Sequence, residues 1–126
     1  MQLKDLIDLQ MKLDERFVFF WNFYIIFVTA TLGFIFTQVK QMTDPLRGIL
    51  ILGYFIFIGM NILGLSSVNK LQIATNAEIK RQSNFYPDTI TFINNLCFRN
   101  YKKERKWIFI VHLLSGLIVV SIILNR

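Results

Sequence analysis

The stretch FVFFWNFYIIFVTATLGFIFTQV, residues 17–39, contains no side chain that is charged at neutral pH. A helix rises about 1.5 Å per residue, so this stretch is long enough to cross a hydrocarbon core about 30 Å thick. Residues 48–69 and 107–125 are uncharged in the same way. We therefore expect three transmembrane helices, at about 17–38, 47–68 and 107–124.

The composition also favours a membrane protein. Hydrophobic residues make up 54% of the 126 residues and charged residues only 17%, against about 25% charged in soluble domains. A soluble chain of this length would have to cover three wholly apolar helices, and it lacks the amphipathic segments to do so. The expected fold is a single all-α membrane domain over residues 1–126, a polytopic protein with additional amphipathic or cytoplasmic helices.

The basic residues predict an orientation. Residues 1–16 and the segment between the second and third spans together carry eleven Lys and Arg, whereas the opposite side carries three. The positive-inside rule then predicts a cytoplasmic N-terminus and a C-terminus outside. The abundance of Phe, Ile, Asn and Lys is typical of an AT-rich bacterial genome, so we expect a bacterial inner membrane. Cys97, the single cysteine, would face the reducing side and can form no intrachain disulfide.

Two regions outside the spans are predicted to be helical. In residues 2–16, apolar residues recur at helical spacing with charges between them, which predicts an amphipathic helix that runs into the first span. This segment carries four acids, so it is not a secretory signal. The region of about 68–105 is expected to be helical and cytoplasmic. A break at Pro87 separates a continuation of the second span from an amphipathic helix over 89–104.

Motifs for chemistry are missing from the sequence. It contains no Gly-rich phosphate loop, no CxxC pair and no HExxH. We therefore predict no catalytic residues, no metal site and no cofactor, and we do not expect an enzyme. The spans also contain no carboxylate, which argues against a proton-driven carrier.

A basic patch precedes the third span. Juxtamembrane cations fix topology and bind anionic lipid headgroups, and a cytoplasmic protein partner could use the same surface. We expect a bilayer with anionic headgroups, rather than nucleic acid, as the partner of this patch. Its residues are Arg99, Lys102, Lys103, Arg105 and Lys106.

Three polar residues lie at a similar depth in the spans. Asn22 and His112 each follow the cytoplasmic start of a span by about five residues, and Asn61 lies about five to eight residues before the cytoplasmic end of the second span. We expect them to form a polar layer roughly 8–10 Å inside the cytoplasmic boundary. The layer could satisfy the imidazole and fix helix packing, or it could line a water-filled path in an oligomer.

Small and hydroxylated residues recur every three or four positions along the spans, which is typical of faces where membrane helices pack. The opposite faces are rich in Phe, Ile, Leu and Val, which suit lipid. The predicted helix-packing stripe consists of Thr29, Gly33, Gly53, Gly64, Ser115 and Gly116.

These features lead to two functional hypotheses. The first is a small inner-membrane protein that homo-oligomerises into a pore or channel-like effector, because one three-helix protomer cannot enclose a conducting path. The alternative is a non-catalytic membrane anchor or assembly subunit that docks a soluble partner through its cytoplasmic helices. In its format of three spans with a basic cytoplasmic portion, the chain is similar to small bacterial membrane proteins that self-assemble into pores, including toxic effectors of defence systems.

Overall fold

The structure, a computed structural model, describes residues 1–86, 91, 95 and 99–125. It contains three long α-helices: α1 (Leu3–Gln38), α2 (Asp44–Ser83) and α3 (Tyr101–Leu124). A short 3₁₀ helix, Val39–Gln41, joins α1 to the connection before α2. Each of the three long helices is long and apolar enough to cross a membrane. This confirms the all-helical fold and the three apolar helices expected from the sequence.

Local sequence explains where α2 and α3 begin. Pro45 occupies the first turn of α2, where its missing N–H costs no helical hydrogen bond. Asn100 caps α3, since its side-chain oxygen accepts a hydrogen bond from the backbone N–H of Lys103. Neither Pro nor Gly interrupts residues 65–83, and α2 accordingly continues beyond its predicted span to Ser83.

The helices α1 and α2 both extend beyond the predicted spans. Residues 3–16 belong to α1 without a break, so the predicted N-terminal amphipathic segment and the first span form one helix. The predicted amphipathic helix over 89–104 and Cys97 lie largely or wholly outside the described residues.

The central helix of the bundle is α2, which packs along both α1 and α3. Three groups of buried apolar side chains follow one another along the bundle. The first two groups each join all three helices, and the third pairs the start of α1 with the end of α2. Their members are Tyr24, Ile35, Tyr54, Ile58, Val119 and Ile123; Leu13, Phe17, Leu65, Val68 and Ile108; and Leu6 with Ile79.

Aromatic rings set the rotation of α1 against α2. The ring of Phe27 stacks on that of Phe57 with 3.5 Å between centroids, and Phe23 lies 5.6 Å from the same ring. Phe27 also stacks beside Tyr54 at 6.0 Å. The side chain of Phe20 crosses α2 at Gly64, where a Cβ would lie 2.8 Å from a ring carbon. Phe20, Phe23 and Phe27 therefore mark the face of α1 that contacts α2.

Candidate functional site

His112 lies inside the bundle with both ring nitrogens hydrogen-bonded. Its Nε2 is 2.9 Å from Nδ2 of Asn61 on α2, and its Nδ1 is 2.6 Å from the backbone oxygen of Ile108 one turn earlier in α3. A carbonyl oxygen can only accept, so Nδ1 carries the proton. In the neutral ring Nε2 then accepts from the Asn61 amide. This arrangement fixes one tautomer of a neutral imidazole.

Aromatic side chains of α1 cover the imidazole. The ring of Tyr24 lies 4.0 Å from it between centroids, and that of Trp21 lies 5.6 Å away. His112 is only 1% exposed as a result. The hydroxyl of Tyr24 is hydrogen-bonded to that of Ser115, one turn after His112. All three helices therefore meet at this histidine.

The Ser115 hydroxyl extends the contact to a second tyrosine. It donates to the backbone oxygen of His112 at 3.0 Å, and the Tyr54 hydroxyl on α2 lies 3.4 Å from it. These bonds satisfy polar groups that hydrocarbon could not. The arrangement can hold three helices in one register. It leaves no ring nitrogen free for a substrate, and the described residues contain no group of three His, Cys, Asp or Glu that could hold a metal ion.

The structure brings Asn61 and His112 together but leaves Asn22 apart from them. Asn22 is exposed on the side of α1 that faces away from α2. The expected layer of three polar residues is thus a contact between two of them within the protomer. The physical reason is the rotation of α1, which packs on α2 through Phe27 and turns Asn22 outward.

The predicted packing stripe divides in the same way. Gly64 contacts Phe20 on α1, and Gly116 is buried in α3, where its Cβ position is 3.9 Å from Ile58. Thr29, Gly33 and Gly53 are exposed, and no atom lies within 4 Å of a Cβ placed on either glycine. Thr29, Gly33 and Gly53 therefore do not contribute to helix packing inside the protomer.

A second polar site, which the sequence reasoning missed, joins the three helices nearer the end of the spans. Asp14 on α1 accepts a hydrogen bond from Nε2 of Gln72 at 2.7 Å and one from the Tyr101 hydroxyl at 3.2 Å. The guanidinium of Arg99 lies 3.5 Å from the same carboxylate and is also bonded to Glu104. We call these residues the Asp14 cluster. The sequence did contain an indication of this site, because the polar residues Asn69, Gln72 and Thr75 recur at helical spacing. All three are buried.

Arg99 belongs to this cluster as well as to the predicted basic patch. Burial lowers the pKa of its guanidinium, but its bond to Glu104 and the charge of Asp14 raise the pKa above its ordinary value, so Arg99 stays charged. Its side chain also lies over the ring of Phe17, 5.3 Å from the centroid. The other four members of the patch, Lys102, Lys103, Arg105 and Lys106, are exposed.

No family model, curated protein or solved structure matches this chain.

Proposed function

We propose that this chain is a non-enzymatic membrane subunit that self-associates through the outward face of α1 and that the resulting homo-oligomer forms a pore or channel-like effector. The observation that supports the proposal is the composition of that face. Asn22, Thr29, Gly33 and Thr37 lie on it at helical spacing, and all four are exposed in the protomer.

The amide of Asn22 supports assembly because a lone polar group facing hydrocarbon is costly. An amide transferred to an apolar medium without a hydrogen bond loses roughly 2–7 kcal/mol. The same amides from several protomers, placed around a common axis, can be hydrated or bond to one another. An oligomer therefore relieves a cost that the protomer bears alone.

Small residues on the same face support close contact between helices. Thr29, Gly33 and Thr37 are spaced by four, the small-xxx-small pattern that lets membrane helices approach. The hydroxyl of Thr37 donates to the backbone oxygens of Gly33 and Phe34 at 3.1 and 3.0 Å, so this hydroxyl lies against its own helix. An assembly about this face would carry an uncharged polar lining. Under this proposal α1 lines the path, and the His112–Asn61 contact holds each protomer together.

The proposed setting is a bacterial inner membrane with the N-terminus in the cytoplasm and the C-terminus outside. The unequal distribution of Lys and Arg between the two sides supports this orientation. In this orientation the start of α1, the end of α2 and the exposed cations before the third span all lie on the cytoplasmic side.

A second candidate function is a membrane anchor or assembly subunit for a soluble protein. It is favoured by the length of helix beyond the spans, because residues 3–16 of α1 pair with residues 69–83 of α2. Leu6 is buried against Ile79, and Asp14 is bonded to Gln72. Such a paired extension offers a rigid surface to a cytoplasmic partner.

Flux from liposomes tests the first proposal. Gly33→Leu would place a large side chain on the proposed interface, and Gly59→Leu is its control, because Gly59 also faces outward with nothing within 4 Å of its Cβ position. We expect the unmodified chain and the control to form cross-linked oligomers and release an ion reporter. Gly33→Leu should lose both properties while it keeps its helix content.

Two results would contradict the proposal. Equal flux from Gly33→Leu and Gly59→Leu would exclude this face as the interface. Folded, inserted protein that assembles without any flux would exclude the pore and favour the anchor. Asn22→Asp adds a direct readout, since a ring of carboxylates in a wet lining should increase the preference for cations.

A further inference from the structure

A cavity of about 490 Å³ opens between the end of α2 and the start of α3. Its volume lies within the range of small-molecule sites, roughly 300–1,000 Å³. It is distinct from the outward face of α1 and from the His112 contact. The described residues that line it are Ile73, Asn76, Ala77, Lys80, Arg99, Asn100, Tyr101 and Lys102.

The lining is basic. It contains three cations, Lys80, Arg99 and Lys102, and no acid among the described lining residues. Arg99 is neutralised on its other side by Asp14 and Glu104. Neither lysine forms an ion pair with any residue that the structure describes. Two ammonium groups therefore border the cavity without a counter-charge from the described part of the chain.

The start of α3 adds a positive partial charge to the same cavity. A helix N-terminus presents backbone N–H groups without helical partners and favours anions. The first turn of α3 carries Lys102 and Lys103 as well as Glu104, and the Glu104 carboxylate is already bonded to Arg99. An anion bound at this terminus would offset the repulsion between these cations and the helix dipole.

Polar and apolar groups divide the remaining lining. Asn76 is the uncharged polar side chain that borders the cavity beside Asn100. Ile73, Ala77 and the ring of Tyr101 form an apolar wall. The cavity thus has features for an anionic group and for an organic moiety that carries it.

We propose that this cavity binds a phosphomonoester, with the phosphate held by Lys80, Lys102 and those N–H groups at the start of α3 that the Asn100 cap leaves without a partner. A dianionic phosphate matches two lysines and a helix N-terminus better than a carboxylate does, because it has three acceptor oxygens and the higher charge. The inference does not depend on self-association through α1.

The distance of the cavity from the predicted span ends limits which molecules could bring the phosphate to it. Lys102 lies about 8 Å and Lys80 about 18 Å along their helices from the predicted span ends. The headgroup zone of one leaflet is only about 5–8 Å thick. The site therefore suits a phosphate at the end of a lipid headgroup or one on a soluble molecule, and these two sources share the same chemistry.

The test compares Lys80→Gln/Lys102→Gln with Lys103→Gln/Lys106→Gln. Both variants lose two positive charges from the same region, but only the first pair lines the cavity. Full-length protein in a neutral detergent is titrated calorimetrically with inorganic phosphate at constant ionic strength. In a second arm, the protein is mixed with phosphatidylcholine vesicles that contain phosphatidylinositol 4-phosphate, whose monoester phosphate lies at the outer end of the headgroup, and phosphatidylinositol vesicles serve as the phosphodiester control.

We expect saturable binding that the cavity variant weakens at least tenfold and the control variant leaves within about twofold. Saturation by inorganic phosphate identifies a soluble source, and preference for phosphatidylinositol 4-phosphate alone identifies a lipid headgroup. Equal loss in the two variants, or no saturable binding of either probe to well-folded protein, would overturn the proposal. Lys80→Arg/Lys102→Arg should restore binding and so separates loss of charge from loss of structure.

Discussion

Asn61 and His112, 51 residues apart in the chain, are joined by a hydrogen bond that ties α2 to α3 within their apolar segments. Both side chains are almost completely buried, at 4% and 1% exposure. Because the imidazole also donates to Ile108, the ring cannot turn to find another partner. The contact therefore constrains how the two helices pack.

Replacement of either partner should destabilise the bundle. In Asn61→Leu or His112→Leu, the remaining polar group loses its partner in an apolar interior, and we expect a loss of about 1–3 kcal/mol in the free energy of unfolding. The double variant should lose less than the sum of the two. A double-mutant cycle, built from unfolding free energies measured in mixed micelles, should give a coupling energy of about 0.6–1.7 kcal/mol between the two side chains. Strict additivity would show that the hydrogen bond contributes nothing.

Gly64 should not tolerate a large side chain, because Phe20 of α1 occupies the space above it. We expect Gly64→Leu to separate α1 from α2 and to lower the free energy of unfolding by about 1–3 kcal/mol. Gly59→Leu, on the exposed side of the same helix, is the matched control and should cost little. The same mixed-micelle measurement applies, and similar losses in both variants would contradict the packing of Phe20 over Gly64.

The carboxylate of Asp14 should be needed for stability, since it accepts from both Gln72 and Tyr101 and faces Arg99. Asp14→Ala leaves Gln72 and Tyr101 without this acceptor, although Arg99 keeps its bond to Glu104, and we expect a loss of about 1–3 kcal/mol. Its neighbour Glu15 has the same charge and is exposed. Glu15→Ala should therefore change the unfolding free energy by less than about 0.5 kcal/mol. Equal effects would mean that only net charge matters here.

The two termini should lie on opposite sides of the membrane. Green fluorescent protein fused to the N-terminus should fluoresce, because the positive-inside rule places that end in the cytoplasm. Alkaline phosphatase fused to the C-terminus should be active, because it requires the oxidising side. With each reporter also fused to the other terminus, fluorescence at the C-terminus and phosphatase activity at the N-terminus would refute the orientation. The same reporter giving a signal at both termini would refute an odd number of spans.

The sequence predicted the long helices well because their signals are local. Uninterrupted apolar runs and the lack of Pro or Gly after residue 65 depend only on neighbouring residues. The meeting of Asn61 with His112 was also accessible, since depth along each span and helical spacing place both at one level. These inferences need no knowledge of how the helices rotate about their axes.

Rotation is what the sequence left open. The stripe containing Asn22 and Gly33 shows that these residues share a face, but not the direction of that face. Because Phe27 contacts Phe57, the stripe lies on the outside of the protomer. No pattern within α1 alone predicts that contact. The Asp14 cluster was missed for a related reason. Asp14 and Gln72 are 58 residues apart, and each alone resembles an ordinary solvated side chain.

The pairing of the start of α1 with the end of α2 has a consequence for biosynthesis. Leu6 packs on Ile79, and Gln82 donates to the backbone oxygen of Met1 at 3.3 Å. The N-terminal turns of α1 thus lack their partner until more than seventy further residues have been made, which takes about 4–15 s at ordinary rates of translation. During that interval the apolar side chains of these turns are not packed against α2. The membrane surface beside the inserted span is the nearest apolar environment for them. The start of α1 can therefore pair with the end of α2 only after both helices have been made, but before the third apolar segment is complete.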